Sequence, residues 1–415
     1  MAAIPHEAGP DHTLAFLAEG YRFIPNRVDR FGSDIFTTRL MLSPVTCLHG
    51  AEAAEQFYTP DRFTRRGAMP PTTLRLLQGS GSVQSLDGLA HRWRKRMFLD
   101  IMRPGAVAEL VDAFTAEWRD RLPVWERQDR VTLFPEVEEL LTRAACRWAG
   151  CPLDDAEAPE RAREFSAMIA GAGSPGLRFA QGLRLRRRTE RWAAGLIEQT
   201  RDGRLAPPEG SALAVIAHHR GEDDRWLDAG TAVYELLNIL RPTVAVGRFI
   251  VFAALALYQH PTSRAFAEGD DRDVECFAQE VRRLYPFFPL VGGRVLQPFA
   301  WRGHDFAEGD WVLLDLHGTN HDPRLWSEPK EFRPERFLHW DESPWSFVAQ
   351  GGGPYDTGHR CPGERTTIEL VKRASRLLAQ DMRYDVPPQD LSVDLSRMPA
   401  EPASGFVIAN LRARG

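Results

Sequence analysis

One stretch constrains the fold more than any other. Residues 226–259 read as a single apolar helix, interrupted only by Pro242. At 1.5 Å per residue it would be roughly 50 Å long, enough to cross a whole domain. Arg241 sits in its middle, among Leu236, Leu237, Ile239, Leu240, Val244 and Val246. A buried arginine without a partner is costly. Either a protein carboxylate pairs with it, or the partner arrives with a ligand.

Helical periodicity continues on both sides. Residues 88–102 read as a basic amphipathic helix, and 107–125, 136–148, 157–169 and 179–201 as further helices. The loop GAGSPG at 171–176 and the segment APPEGS at 206–211 punctuate them. Val274, Phe277, Ala278, Val281 and Tyr285 mark one more helix by their i, i+3, i+4 spacing. Strand signals are short and dispersed, near 35–47, 291–306, 311–316 and 406–411. An irregular stretch covers 322–337. The expected class is mainly α with small β-sheets. No linker or internal repeat divides the chain, so residues 1–415 are expected to form one domain.

Composition excludes some classes. The net charge of −5 argues against nucleic-acid binding, which needs a basic face. The cluster Arg184, Arg186, Arg187, Arg188 and Arg191 reads first as a solvated helix face and second as a basic rim that attracts anionic substrates. Five cysteines, Cys47, Cys146, Cys151, Cys276 and Cys361, show no C-x-x-C spacing. Neither a disulfide framework nor a zinc site is expected, and reduced thiols fit a cytoplasmic protein. The first residues lack the pattern of a signal peptide. The longest apolar run, residues 249–258, is too short to span a bilayer.

The sharpest local signal is FVAQGGGPYDTGHRCPGERTTIEL. Gly351, Gly352 and Gly353 permit close approach of backbone to a flat partner. Pro362 suits the first position of a helix that continues through Ile368, Val371 and Leu377. A cysteine at a helix N-terminus has its thiolate stabilised by N–H groups and the helix dipole. That suits Cys361 as a thiolate ligand to iron, which favours O–O cleavage on the opposite face of a haem. A lone cysteine is otherwise commonly a buried structural residue. His359 and Gly363, each two residues from Cys361, shift the balance toward a ligand.

The segment resembles the haem-binding loop of the cytochrome P-450 superfamily. Its Gln-Gly-Gly-Gly insertion, ending in His-Arg-Cys-Pro-Gly-Glu, is similar to that of the bacterial fatty-acid peroxygenases, family 152. Ordered matches extend from RFTRRGAMP (62–70) through VQSLDG (83–88), YPFFP (285–289) and NHDP (320–323) to SGF (404–406). The resemblance implies a cytochrome P-450 fold and haem b on the Cys361 thiolate. It implies a structural triad of Glu280, Arg283 and Arg336, although such i, i+3 spacing is usually a surface ion pair. Arg65, His91, Arg94, Lys95, Arg294 and His359 are the implied cofactor contacts, chiefly donors to the haem propionates.

The superfamily's acid–alcohol pair, which delivers protons when molecular oxygen is activated, is replaced here by Arg241-Pro242. The resemblance therefore implies that Arg241 anchors the carboxylate of a long-chain fatty acid through two parallel hydrogen bonds. Pro242 would kink the helix above the haem. Hydrogen peroxide would be the oxidant, with no obligatory redox partner, and the substrate carboxylate would do the proton transfer. Gln84 stands where decarboxylating members tend to have His, which favours hydroxylation. Gln78 stands where β-hydroxylating relatives usually carry Phe, and where Leu is otherwise expected. Together with the RRGAMP and LRPTVAV segments this points to the α-carbon. Phe287 and Phe288 are candidates to line the alkyl channel. Three rivals remain: a redox-partner-dependent monooxygenase, a non-catalytic haem or fatty-acid binder, and a zinc protein using Cys361 and His359.

Overall fold

The computed structural model describes residues 4–79, 81–173, 176–221 and 224–414. The predicted helices fall at Gly88–Ile101, Pro104–Trp125, Leu133–Trp148, Ala158–Gly171, Leu177–Arg201 and Asp271–Leu284. Their apolar faces close on one core, in which Trp118, Trp125, Phe249 and Phe277 are wholly buried. Ser174 and Pro175 of the predicted 171–176 loop lie outside the described residues.

The long helix departs from expectation in two respects. It begins at Ala229, capped by the Asp228 carboxylate, which accepts the Thr231 N–H. Its discontinuity falls at Val246, between Ala229–Ala245 and Gly247–Gln259, and not at Pro242. Pro242 removes one N–H, the partner of the Asn238 carbonyl, without ending the helix. At Val246 the N–H turns back to the Thr243 carbonyl, a tighter i to i+3 step. Ala229–Gln259 is long and apolar enough to cross a membrane, yet its most apolar window is 94% buried inside the protein. Counting uninterrupted apolar residues missed this, because Arg241, Pro242 and Arg248 break the run.

A five-stranded sheet lies beside the helices, in the order Ile35–Leu40, Ser43–Leu48, Trp311–Asp315, Leu290–Val295, Phe63–Thr64. The segment read as one strand at 35–47 is a hairpin turned at Met41 and Leu42, both at positive φ. The segment at 291–306 likewise divides, its later part forming the hairpin Phe299–Trp301 and His304–Phe306. Val407–Ala413 joins Arg130–Thr132 and Met382–Asp385 in a third sheet. The short strands at 63–64, 130–132 and 382–385 gave no sequence signal.

Two buried ionic clusters position the cysteine loop. Arg283 holds Glu280 through two bonds of 2.7 and 2.8 Å. Arg336 Nε and the Arg333 N–H also donate to Glu280. The three residues of the implied triad therefore meet. Arg283 Nη1 also donates to the Asn320 carbonyl, and the Asn320 side chain accepts the Val348 N–H at the head of the cysteine loop. The second cluster sits at the end of the parallel pair Ser43–Leu48 and Trp311–Asp315. His49 Nδ1 lies 2.9 Å from Asp315 Oδ2, and Nε2 lies 3.4 Å from Asp322 Oδ2. NHDP is thus a bracket between sheet and loop.

This bracket sets a pH dependence. Burial disfavours the His49 imidazolium, but the two carboxylates outweigh it and push its pKa up to about 9 from 6.5. A raised folded pKa gives stability that is full below 6.5 and is lost as pH rises through 9. Denaturant titrations should show a loss of about 3 kcal/mol across that window. His49→Asn should abolish the step, and an unchanged step in that variant would contradict the assignment.

Candidate active site

The cysteine loop is fastened by its own backbone. The Cys361 N–H donates to the Gln350 carbonyl at 3.1 Å, and the Gly351 N–H donates to Val348. The flat partner that the three glycines approach is Tyr58. A Cβ on Gly353 would stand 2.9 Å from the Tyr58 Cβ, and one on Gly352 would stand 2.7 Å from the Pro344 carbonyl oxygen. The following helix begins at Glu364, with Gly363 as its cap, so Pro362 belongs to the turn and not to the first helical position. Burial pushes the Cys361 thiol up, while the Gly363 N–H, Lys95 and Arg282 pull it down.

Beside the loop lies a basin of basic groups. Arg65 is buried, with Nη1 on the Gly292 carbonyl and its guanidinium over the Phe57 ring at 4.1 Å. His91 and Lys95 share one face of the Gly88–Ile101 helix. The His91 and His359 rings lie 3.9 Å apart. Lys95 Nζ donates to the Gly358 and Arg360 carbonyls at 2.5 and 2.8 Å. Among the described residues none of these four has a carboxylate within ion-pair distance. Burial, followed by their mutual repulsion, pushes His91 down to about 4 and His359 well below the usual range. Burial pushes Lys95 down to about 8, although Cys361 and Asp356 act the other way.

Arg241 is buried, with its guanidinium Nη2 on the Leu77 carbonyl at 2.5 Å and on Asn238 Oδ1 at 3.0 Å. Both partners are neutral. Gly79 permits this arrangement, since a Cβ there would stand 2.2 Å from the Tyr234 ring on the long helix. Burial, with Arg186 nearby, pushes Arg241 down to about 9. Asn238 Nδ2 donates to Glu235 Oε2 at 2.9 Å and to Gln84 Oε1 at 3.2 Å. Thr243 donates to the Ile239 carbonyl, so its hydroxyl proton is already committed.

The cytochrome P-450 family model matches residues 274–371, the span from the Glu280 helix through the cysteine loop. Cytochrome P450SP alpha (CYP152B1), solved with (R)-ibuprophen, is 48% identical, with a TM-score of 0.95 over 98% of this chain and 100% of that one. Cytochrome P450EX alpha (CYP152N1), solved with myristic acid, is 40% identical, with a TM-score of 0.97 over 100% of both chains. The chain belongs to the CYP152 family of fatty-acid peroxygenases. A variant of cytochrome P-450 OleT, solved with arachidonic acid, is 35% identical over 100% of this chain and 99% of that one, at a TM-score of 0.97. More distantly, Beta-amyrin 28-monooxygenase of Barbarea vulgaris is 24% identical over 95% of this chain and 89% of that protein.

CYP152 membership makes the protein an oxidoreductase and implies haem on a cysteine thiolate. The residues fit that group. Cys361 supplies the sulfur, and the basin of Arg65, His91, Lys95 and His359 offers uncompensated cationic and N–H donors to two propionates. Two of the expected contacts have protein partners here. Arg94 pairs with Glu235 at 2.7 Å, because its place on the helix turns it toward residues 229–245. Arg294 lies over the Trp311 ring and donates to the Gly67 and Gly309 carbonyls; no contact joins it to the basin among the described residues. Phe287 stacks on Phe249 at 4.6 Å, whereas Phe288 is 46% exposed. Glu235 was not singled out from the sequence. Its signal was available as i, i+3 spacing to Asn238 on the face that carries Arg241.

Lys95 serves basin and loop together. Lys95→Met keeps the aliphatic stem and removes two charge-assisted bonds. It should lower stability by about 2 kcal/mol and reduce the haem-to-protein ratio of purified CYP152 protein. Unchanged melting temperature and haem content would refute this role.

Proposed function

We propose that this protein hydroxylates long-chain fatty acids at the α-carbon, with hydrogen peroxide as oxidant. One observation carries the reading: Arg241 is a buried cation with no carboxylate within ion-pair distance among the described residues. An uncompensated buried charge is expensive, and a fatty carboxylate arriving in the pocket compensates it. The ligands named for the solved relatives, myristic acid, arachidonic acid and ibuprophen, are all carboxylic acids.

Haem b, held by Cys361, supplies oxidising power drawn from the peroxide when bound, and a reductase is then unnecessary. The remaining work falls to side chains. Glu235 is consumed by Arg94, the Val83 N–H and Asn238. Thr243 is consumed by the Ile239 carbonyl. The pocket's available acid–base group is therefore the substrate carboxylate. One oxygen is held by Arg241, and the other takes and returns the peroxide proton. Pro242, lacking an N–H, leaves the Asn238 carbonyl without its helical donor next to this site.

Regiochemistry follows from anchoring the acid end. Gln84 is a neutral amide oriented by Asn238, and an amide is a poor proton source compared with imidazolium. That supports hydroxylation over decarboxylation. Gln78 follows Leu77, whose carbonyl meets Arg241, and we assign it to the first carbons of the substrate. Its departure from the Phe of β-hydroxylating relatives supports the α-carbon. Phe287 and Phe288 are assigned to the alkyl tail. The five free cysteines support a reducing, cytoplasmic setting.

The test uses the haem-loaded protein with palmitic acid and hydrogen peroxide, without reductase, and identifies products by chromatography and mass spectrometry. The expected product is the 2-hydroxy acid. Arg241→Leu should reduce it by roughly 100-fold, the cost of losing about 3 kcal/mol of charge-assisted bonding. A 3-hydroxy acid or a terminal alkene would move the carbon assignment. Turnover only in the presence of an electron-transfer system would overturn the reading.

A further inference from the structure

We propose that Gln350 is a positioning residue that tunes the Cys361 thiolate through its side-chain N–H. The inference rests on thiolate ligation by Cys361 and is independent of which oxidant or which carbon the enzyme uses.

Gln350 Nε2 lies 3.7 Å from Cys361 Sγ and 3.1 Å from Thr367 Oγ1, while Oε1 lies 3.2 Å from Arg282 Nε. The orientation of the amide follows from chemistry. Arginine has donors only, so the group facing Arg282 must be the oxygen. Thr367 gives its proton to the Gly363 carbonyl, so its oxygen is an acceptor toward Gln350. The two N–H bonds of Gln350 are therefore directed at Thr367 and at the sulfur, and every polar atom of the amide is satisfied.

Arg282 is itself immobilised. It is 1% exposed and pairs with Glu364 at 2.5 Å, and Glu364 also accepts from Arg360 at 2.5 Å. The main chain repeats the connection, because the Cys361 N–H donates to the Gln350 carbonyl. Glu364, Arg282, Gln350 and Cys361 thus form a relay that ends on the sulfur. An N–H directed at a thiolate draws on its lone-pair density and lessens donation to iron. Second-shell bonds of this kind set the properties of metal sites. A purely packing role would require neither an amide nor this orientation.

The test uses ferric low-spin haem protein in which glutamine is labelled with ¹⁵N at the side-chain amide. Pulsed electron paramagnetic resonance should detect that nitrogen and its exchangeable protons coupled to the iron spin. Gln350→Met, similar in shape but without the N–H, should lose the coupling, lower the reduction potential and raise the Fe–S stretching frequency. Thr367→Val breaks the other amide bond and should leave all three near the wild-type values. No coupling in the wild type overturns the proposal, and that measurement decides it even if Gln350→Met does not take up haem. Equal shifts of potential in both variants would also overturn it, since they would assign the effect to the loop and not to the N–H.

Discussion

Two buried cations, Lys95 and Arg282, converge on the loop that carries Cys361, and the rest of the molecule is arranged to keep that loop in place. Lys95 gathers the Gly358 and Arg360 carbonyls. Arg282 holds Gln350 and Glu364. The head of the loop hangs from Asn320, which Arg283 holds in turn. Removing one partner from such a buried ionic network leaves an uncompensated charge, which costs far more than a surface pair. The thiolate's position is therefore over-determined by groups on the Asp271–Leu284 helix, the Gly88–Ile101 helix and the Glu364–Arg376 helix.

The opposite arrangement governs Arg241. Among the described residues no carboxylate lies within ion-pair distance of its guanidinium. Glu235 lies six residues earlier on the same helix, yet it is spent on Arg94, Val83 and Asn238. Asn238 passes that constraint on by fixing both Arg241 and Gln84. Arg94 therefore links the helix of the basic basin to the network around Arg241. A buried cation without a carboxylate partner costs stability, and the proposed fatty acid would compensate it.

Much of this was legible in the sequence where local rules suffice. The helices at 88–102, 136–148 and 179–201 show clear periodicity, and the cysteine loop carries its glycines, His359 and Cys361 in a diagnostic order. Glu280, Arg283 and Arg336 were recognisable as a set, and they meet. What local rules do not encode is the direction of a side chain between elements. Arg94 was grouped with His91 and Lys95 by resemblance and by proximity in sequence, and its pairing with Glu235 is set by tertiary packing. Arg294 was assigned by family resemblance, and its stacking over Trp311 on the neighbouring strand carries no local sequence signal. The two-residue strand at 63–64 exists only because Leu290–Val295 offers it an edge. Gln350 reads as a loop residue until Arg282, far away in sequence, fixes which end of its amide faces the sulfur.

The account stands on the claim that Arg241 awaits a carboxylate. The direct measurement is a titration of the ferric protein with palmitic acid and with its methyl ester, followed by the shift of the haem absorption band. The two ligands share chain length and differ in the charged end. The account predicts that the acid binds at least 100-fold more tightly, corresponding to about 3 kcal/mol, and that this preference disappears in Arg241→Leu. Equal affinity for acid and ester in the wild-type protein would contradict it.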